Sequence, residues 1–520
     1  MRRRALLAAL ATTTVAGCAS TTDDATTDAT TADGTLTDGE PSVSGTTTDD
    51  PSEATATDGD AAPEPPGSLE AFVELDVAPE TWCLSDHWTR TDDGGRFLVS
   101  FAGTGTASSP ATLRVWLVNE REYEQPFDLS ALPAFGRTES DVPHAVGRPR
   151  EHLGSNWERR RFLVPTPNHP AFGDPPAVER ADDGRWTATR MDDWRLGVRR
   201  LAPGEFAFGE YHVVGHPDRT AAFPRRGVYE FDGHEFGFGL ATWETGRPGR
   251  IAASKFEGRA VPSMPGDSAP TWYHEADATT PVVVEPDVEA ARLPVQVRFV
   301  AANRSRETAQ CGHWNLFKLD GGEWFHVAPL YHTADCRALA PGTGKRYVLN
   351  AYHGEALPDI EYYGPGGSVG WLGGGTYGVV AGYGPDGGDG AALVELAGPQ
   401  RSVVPTDDAT ATVDGDVVTV RTEPPDADFE GTERVTATLE RVDAAPEATR
   451  YVPEQVMRRY YRALRNTLGF VDDADRVVLD TTDRWAERVT GYEATAATFR
   501  FEGDAYEFAW ERTASHLRAP

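Results

Sequence analysis

Short runs rich in β-branched and aromatic residues, several of them alternating with polar residues, recur along most of the chain after residue 68. Residues 96–101, 112–118 and 295–300 are such runs, and this pattern is typical of strands that bury at least one face. Residues 315–319 and 323–327 are separated by Asp-Gly-Gly, which favours a tight hairpin turn. The pattern therefore predicts a mainly β protein.

Two stretches depart from this pattern. Residues 132–183 are rich in proline and have no sustained period, so we expect a large loop insertion there. Pro453 begins a run with an apolar residue at every fourth position as far as Leu468, and proline is favoured in the first turn of a helix. This run predicts one helix over residues 453–468, packed against the neighbouring strands.

Three short motifs occur twice, in the same order, in two regions of the chain. Each set begins with an asparagine after a strand, continues with Leu-Ala-Pro-Gly, and ends with Gly-x-Tyr before an apolar strand. The two sets are Asn119, residues 201–204 and residues 227–229, and Asn303, residues 339–342 and residues 375–377. Because Pro-Gly is typical of turns between strands, the repeats predict two related β-domains.

The Gly-x-Tyr motif at the start of a late strand resembles the tyrosine corner of immunoglobulin-like sandwiches. The order of the motifs is similar to that in the Ig-like domains of many bacterial and archaeal surface lipoproteins. This resemblance implies two Ig-like β-sandwich domains in tandem, residues 68–277 with the loop insertion and residues 278–400. Residues 401–520 contain hairpins and the predicted helix, so we expect a small α+β domain there.

The first eighteen residues have the pattern of an export signal. Arg3 and Arg4 precede an apolar run over residues 6–15 that is too short to span a bilayer. Small residues before Cys18 resemble a lipobox, and the arginine pair resembles a twin-arginine export signal. These resemblances imply that residues 1–18 are a signal peptide and that Cys18 carries a lipid. The protein would then be extracytoplasmic, anchored to the outer face of the cytoplasmic membrane.

Residues 19–67 contain no basic residue and consist mainly of Thr, Asp, Ala, Gly and Pro. Such a segment cannot offset its ordering entropy by burying apolar side chains. We therefore expect a disordered, acidic, Thr-rich linker between the membrane anchor and the first β-domain.

The charge of the chain limits its partners. The sequence has 81 acidic and 49 basic residues, a net charge of −32, and only three of the basic residues are lysines. This composition resembles that of proteins from extremely halophilic archaea, in which a solvated acidic surface maintains solubility. A negative field repels phosphate, so we expect no nucleic acid as a partner.

The chain has four cysteines. With Cys18 lipidated, we predict a disulfide between Cys311 and Cys336, as suits a protein outside the cytoplasm, and Cys83 is left over. Four histidines lie in the same part of the sequence as this pair: His313, His326, His332 and His353. Because they lack the spacing of a zinc motif, we predict no metal and no cofactor. A metal- or solute-binding lipoprotein stays open as an alternative.

Residues 366–370 match the Gly-x-Ser-x-Gly pattern of hydrolases, with Ser368 as the nucleophile. That chemistry needs a helix directly after the serine, and the glycines that follow disfavour one. We therefore predict no catalytic residue. A secreted hydrolase with an unrecognised carboxylate or serine site stays open as an alternative, because one sequence cannot sort 81 carboxylates into roles.

Basic residues stand beside an aromatic residue within the loop insertion. Trp157 precedes Arg159, Arg160 and Arg161, a combination that suits contact with a surface glycan or anionic polymer. Pairing with local acids is the competing interpretation.

Asn303 begins Asn-Arg-Ser, a glycosylation acceptor in a predicted turn. The sequence thus predicts a non-enzymatic binding or structural role at the cell surface, with a surface glycan or surface protein as partner.

Overall fold

Strands dominate the computed structural model of the protein, which confirms that the fold is mainly β. The structure describes residues 62–144, 157–219, 223–266, 269–309, 312–332, 338–356, 366–382, 389–423, 432–443 and 445–512. Cys18, Cys311 and Cys336 lie outside the described residues, so the lipid attachment and the disulfide stay predictions. Within the described ranges, no helix is both long and apolar enough to cross a membrane.

The first β-region has two antiparallel sheets, ordered β1-β2-β13-β12 and β3-β4-β5-β11-β7. Short pairs, β6 with β10 and β8 with β9, lie outside them. Both sheets contribute to one apolar core, because alternate residues of β2, β4, β5, β11 and β13 are buried together. The strands are β1 (Phe72–Glu74), β2 (Glu80–Ser85), β3 (Trp88–Arg90), β4 (Gly95–Gly103), β5 (Thr112–Asn119), β6 (Gln125–Asp128), β7 (Phe162–Pro165), β8 (Val178–Arg180), β9 (Trp186–Ala188), β10 (Val198–Leu201), β11 (Phe206–Val214), β12 (Gly227–Asp232) and β13 (Gly237–Glu244).

The second β-region also has two sheets, β14-β23-β22-β18-β19 with β16 added beside β23, and β15-β17-β20-β21. The predicted hairpin is confirmed as β18 and β19, joined by two glycines with positive φ. The strands are β14 (Thr271–Trp272), β15 (Val282–Pro286), β16 (Ala290–Arg292), β17 (Val295–Asn303), β18 (Trp314–Asp320), β19 (Glu323–Ala328), β20 (Gly344–Ala351), β21 (Gly366–Val369), β22 (Gly375–Ala381) and β23 (Gly390–Ala397).

The C-terminal region is a seven-stranded sheet, β24-β25-β28-β26-β30-β29-β27, with three short helices whose apolar side chains share its core. This is the α+β arrangement that the sequence predicts. The strands are β24 (Thr410–Asp414), β25 (Val417–Arg421), β26 (Arg434–Val442), β27 (Thr449–Tyr451), β28 (Arg476–Thr482), β29 (Ala496–Phe501) and β30 (Asp504–Arg512), and the helices are α1 (Pro453–Val456), α2 (Arg462–Leu468) and α3 (Asp483–Thr490).

The prediction of one continuous helix over residues 453–468 is wrong, because the segment is helical but interrupted. The backbone of Arg458 is extended (φ −73°, ψ 146°) and separates α1 from a 3-10 turn and α2. The break lets α1 face the second region, where Gln455 Nε2 donates to the carbonyl oxygen of His326 at 3.1 Å. The sequence analysis also missed α3, which buries Trp485 and Ala486.

The predicted loop insertion, residues 132–183, is more regular than expected. It supplies β7 to the five-stranded sheet, and Phe135 and Leu163 are buried in the first core. Upstream of the predicted boundary at 278, β14 pairs with β23 of the second region. Residues 62–67, the end of the predicted disordered linker, are described, and Pro63 accepts a hydrogen bond from Trp116 Nε1 at 2.9 Å.

The two repeated asparagines make the same contacts, an arrangement that we call the asparagine corner. Asn119 Nδ2 donates to the carbonyl oxygens of Tyr123 and Leu201, both at 2.9 Å. Asn303 Nδ2 donates likewise to Glu307 at 2.7 Å and Leu339 at 2.8 Å. The tetrapeptide glycines close both corners through their N–H groups, which donate to the carbonyl oxygens of the two asparagines at 2.9 and 2.8 Å. The sequence repeat therefore corresponds to a structural repeat.

Candidate functional site

A polar groove of about 640 Å³ lies in the first β-region. It is formed by the segment after β6, the start of β7, the residues before β10, the loop after β11, and the end of β12 with the turn that follows it. Its lining is Ser130, Ala131, Gly136, Arg137, Thr138, Glu139, Phe162, Met191, Asp192, Asp193, Arg195, His216, Asp232, Gly233 and His234. Concave sites with converging polar groups are the usual places for ligands.

Backbone contacts fix the floor of the groove. The Asp128 carboxylate caps a 3-10 turn by accepting from Ser130 N at 3.0 Å. Gly136 lies directly against this turn, where an added Cβ would fall 1.8 Å from the carbonyl oxygen of Ser130. The N–H of His234 donates to the carbonyl oxygen of Ala131 at 2.9 Å. The β12–β13 turn is thereby tied to the segment that carries Arg137 and Glu139.

Several charged side chains of the groove are paired with neighbours. Arg137 contacts Asp141 at 2.8 Å, Arg195 contacts Asp193 at 2.9 Å, and Asp192 contacts Arg190 at 2.8 Å. Glu139 forms an ion pair with Arg160 at 3.3 Å. Paired groups in fixed positions offer hydrogen bonds to a ligand without presenting one dominant charge.

Trp157 lies beside the groove on a 3-10 turn, Trp157–Arg159. Its ring centre is 4.3 Å from that of His216, which lines the groove and also contacts Phe162 at 5.6 Å. Trp157 keeps 36% of its surface exposed. An exposed indole held against a groove wall is a ready stacking surface for a planar or sugar ring.

The structure separates the three arginines that the sequence groups as one basic patch. Arg160 pairs with Glu139, and this agrees with the competing interpretation of local ion pairs. Arg161 is only 3% exposed, so it is not part of a surface patch. Its backbone is bonded to Ser140, and its side chain points into the first region, with the guanidinium 3.7 Å from the ring centre of Phe223. Arg159 closes the 3-10 turn.

Asn303 is buried rather than exposed, contrary to the expectation for a glycosylation acceptor in a surface turn. Its Nδ2, the atom that would carry a glycan, already donates two hydrogen bonds in the asparagine corner. The same local sequence that resembles an acceptor is thus used to close a strand end.

Sequence reasoning missed most of the groove. Its polar side chains come from residues 130 to 234, and no local spacing connects them. The one sequence signal is the charged run around Trp194, which places Asp192, Asp193 and Arg195 together on a loop. Loops carry binding residues more often than strands do.

The histidines near the predicted disulfide bond mainly to the backbone and to an amide. His332 Nε2 lies 3.2 Å from the carbonyl oxygen of Trp314, and His326 Nε2 lies 3.1 Å from Asn315 Oδ1. Burial lowers the pKa of His326 to about 4, with His332 and Arg458 adding to the effect. Across the described ranges, no group of three or more His, Cys, Asp or Glu side chains is placed to hold a metal.

Ser368 lies within β21, which pairs in parallel with β20. The strand is followed by a turn at Trp371 (φ 58°) and then by β22, so the element directly after the serine is a strand. The helix that a nucleophile elbow needs is therefore replaced by a strand-to-strand connection.

No protein-family profile and no curated protein matches the chain. Among solved structures, a polysaccharide lyase is 10% identical with a TM-score of 0.12, and the alignment covers 60% of this chain and 35% of the lyase. An α-2-macroglobulin from E. coli is 9% identical with a TM-score of 0.13, covering 77% of this chain and 20% of that protein. The chain thus spans a minor part of both, and at these scores neither likeness bears on fold or function.

Proposed function

We propose that the protein is a non-enzymatic glycan-binding lipoprotein whose ligand lies in the groove of the first β-region. The observation that carries this proposal is the groove with Trp157 at its edge. Sugar recognition combines an aromatic face with hydrogen bonds from fixed carboxylates, guanidinium groups and imidazoles. The groove and its edge provide all of these groups.

The charge of the groove favours a neutral glycan over an anionic one. Its lining contains four carboxylates and two guanidinium groups, a formal charge of −2 with the histidines neutral. Arg160, the nearest part of the supposed basic patch, is already paired with Glu139. An acidic polymer would meet net repulsion here, in addition to that from the whole chain.

We also propose a cellular location, which is based on the N-terminal sequence. Residues 1–18 would act as a twin-arginine signal with a lipobox, and Cys18 would carry the lipid. The two β-regions would be Ig-like sandwiches of the kind found in halophilic surface lipoproteins. Two sheets in each region and a hydrogen bond from Tyr377 Oη to the carbonyl oxygen of Gly373 at 2.8 Å support that assignment.

Binding of purified protein to immobilised neutral glycans (dextran, mannan and xylan) and to polygalacturonate, all in high salt, tests the proposal. We expect retention on at least one neutral glycan and none on polygalacturonate. Trp157→Ala should weaken that binding by about tenfold or more, because stacking is lost. Trp88→Ala is the matched control, since Trp88 is 59% exposed in the same region and does not line the groove.

Three outcomes would overturn the assignment. Equal binding by Trp157→Ala and the unaltered protein would remove the groove from the interaction. Release of shorter sugars during the incubation would show an enzyme and support the hydrolase alternative. Stoichiometric metal in the purified protein would support the metal-binding alternative.

Membrane attachment is tested separately: Cys18→Ala should release the protein into the medium, and retention would exclude a lipid at that position.

A further inference from the structure

Three guanidinium groups surround one aromatic ring inside the first β-region. The ring centre of Phe223 lies 3.7 Å from Arg161, 4.6 Å from Arg219 and 5.6 Å from Arg185. The Arg161 guanidinium also lies 4.8 Å from the ring centre of Trp82. Arg161 and Arg219 are almost completely buried, so water screens this group of charges poorly.

Two carboxylates partly balance these charges. Arg185 contacts Glu80 at 3.1 Å, and Arg219 contacts Asp183 at 3.0 Å. Arg161 reaches Glu80 only at 4.0 Å, beyond hydrogen-bond range. Three guanidinium groups thus face two carboxylates among the described residues. Arg161 has the longest of these ion pairs, and its Nε is buried without a hydrogen-bond partner in the described part of the chain.

A small cavity of about 20 Å³ adjoins this charge. Arg161, Arg185, Glu80 and Trp82 line it, and the rest of its wall is mainly aliphatic or aromatic. The volume suits one water molecule or one monatomic ion and is too small for a phosphate or a carboxylate ligand.

We propose that this cavity is a binding site for one monatomic anion, namely chloride. A buried charge is costly unless it is paired, and a halide would supply the missing negative charge at Arg161. A water molecule would leave that charge in place and would find few polar partners in the wall. Glu80 is the one carboxylate in the lining, and its oxygens are engaged by Arg185 Nη2 at 3.1 Å and Trp82 Nε1 at 3.2 Å.

The site is independent of the proposed glycan groove. None of the residues that line the cavity lines the groove. A failure of glycan binding would leave the anion site untouched, and the reverse also holds. The ion would act on the fold, by joining β2 to the inserted segment that contributes Arg161 and to the β8–β9 turn that contributes Arg185.

Crystals of the unaltered protein, grown with sodium bromide in place of sodium chloride, give the direct test. We expect an anomalous bromide peak in the cavity next to Arg161 Nε. Anomalous maps that show no peak there, whether the cavity holds water or nothing, would overturn the proposal. This measurement does not depend on any variant folding.

Thermal unfolding provides the second test. At equal sodium concentration, the midpoint should be higher in chloride or bromide than in glutamate, whose anion cannot enter, because a ligand of the native state stabilises it. Arg161→Met removes the excess charge and should abolish the difference. Arg159→Met, two residues away on the 3-10 turn, should retain it. The same halide effect in both variants would contradict the site.

Discussion

The two β-regions use the same asparagine corner and then diverge at the Gly-x-Tyr strand. In the first region Tyr229 is buried beside the Arg161 guanidinium, which lies 5.2 Å from its ring centre. In the second region Tyr377 is buried against Glu454, a residue of the C-terminal region. The repeated tyrosine therefore lies beside a guanidinium group in one copy, and in the other its hydroxyl group donates to a carboxylate that is paired with Lys318.

The two copies of the repeat share the hydrogen bonds of the asparagine corner and differ in the contacts of the tyrosine strand. The corner closes a strand end in both regions with the same hydrogen bonds. The strand that begins with Gly-x-Tyr instead contacts a part of the structure that differs between the two regions. In the first region that is the inserted segment with its arginines and the groove. In the second it is α1, through the ion pair between Lys318 and Glu454.

The largest effect should come from breaking the buried Lys318–Glu454 pair, which joins the second region to the C-terminal region. Both side chains are buried, and Glu454 Oε1 also accepts from Gly373 N at 3.0 Å. Glu454→Ala leaves the ammonium group of Lys318 buried without its carboxylate, and we expect a loss of about 3–5 kcal/mol. Calorimetry in high salt should show the second and C-terminal regions unfolding at lower temperature.

An exposed ion pair provides the control for that prediction. Asp504 contacts Arg441 at 3.0 Å, and both side chains are about half exposed. Asp504→Ala should cost less than about 1 kcal/mol. The double variant Lys318→Met with Glu454→Met should recover most of the lost stability, because apolar residues replace a buried pair well. A double variant as unstable as Glu454→Ala would show that packing, and not the charge, governs this contact.

Both β-regions should lose stability as the pH falls, since each has one histidine with a strongly lowered pKa. Burial lowers the pKa of both His169 and His326 to about 4. Below pH 6.5 these imidazoles gain protons mainly in the unfolded chain. Stability is therefore complete above pH 6.5 and falls as the pH decreases toward 4, by up to about 3 kcal/mol for each histidine.

The two histidines can be separated by substitution. His169→Gln should reduce the pH dependence of the first region by about one proton, and His326→Gln should do so for the second. The measurement is the unfolding midpoint between pH 7 and about pH 5.5, a range in which most carboxylates do not yet titrate. An unchanged pH slope in either variant would show that the corresponding histidine is protonated in the folded protein.

Removing the shared corner should cost the two regions similar amounts. Asn119→Ala and Asn303→Ala each leave buried carbonyl groups without their donors, and we expect about 2–3 kcal/mol for each. Denaturant unfolding of the two variants, followed by tryptophan fluorescence, measures both losses. Asn350→Ala is the control with an expected loss below 1 kcal/mol, since its contact with Gln296 is exposed. A large difference between Asn119→Ala and Asn303→Ala would break the equivalence.

The asparagine corners depend on local sequence motifs and the groove depends on contacts between distant residues, and this difference explains which features the sequence could predict. Strands, the hairpin and the repeat depend on local patterns, and these were recognisable from motifs such as Leu-Ala-Pro-Gly. The break at Arg458 depends on contacts with the second region, which no local pattern reports. The groove gathers Glu139, Asp193 and His234 from distant parts of the chain. The burial of Arg161 likewise reflects tertiary contacts, which a run of three arginines in the sequence does not reveal.

The smallest effects should come from the tetrapeptide glycines, and these separate the corner from its surroundings. Gly204 and Gly342 both have positive φ, 74° and 71°, so alanine should cost about 1–2 kcal/mol from the backbone at either position. An added Cβ at Gly204 would meet nothing within 4 Å. At Gly342 it would lie 3.0 Å from Cys83 Sγ and from Ala241 Cβ, in an apolar cluster between the two β-regions.

Gly342→Ala should therefore cost more than Gly204→Ala and should loosen the contact between the regions. Cys83 reports on this directly, because its thiol is buried and its pKa is raised by burial to about 12. In the native protein we expect no reaction with a thiol reagent. Labelling of Cys83, followed by mass spectrometry, should become measurable in Gly342→Ala and not in Gly204→Ala. Equal labelling of both variants would mean that the interface tolerates the extra methyl group, and the two corners would then be equivalent in their surroundings as well as in their hydrogen bonds.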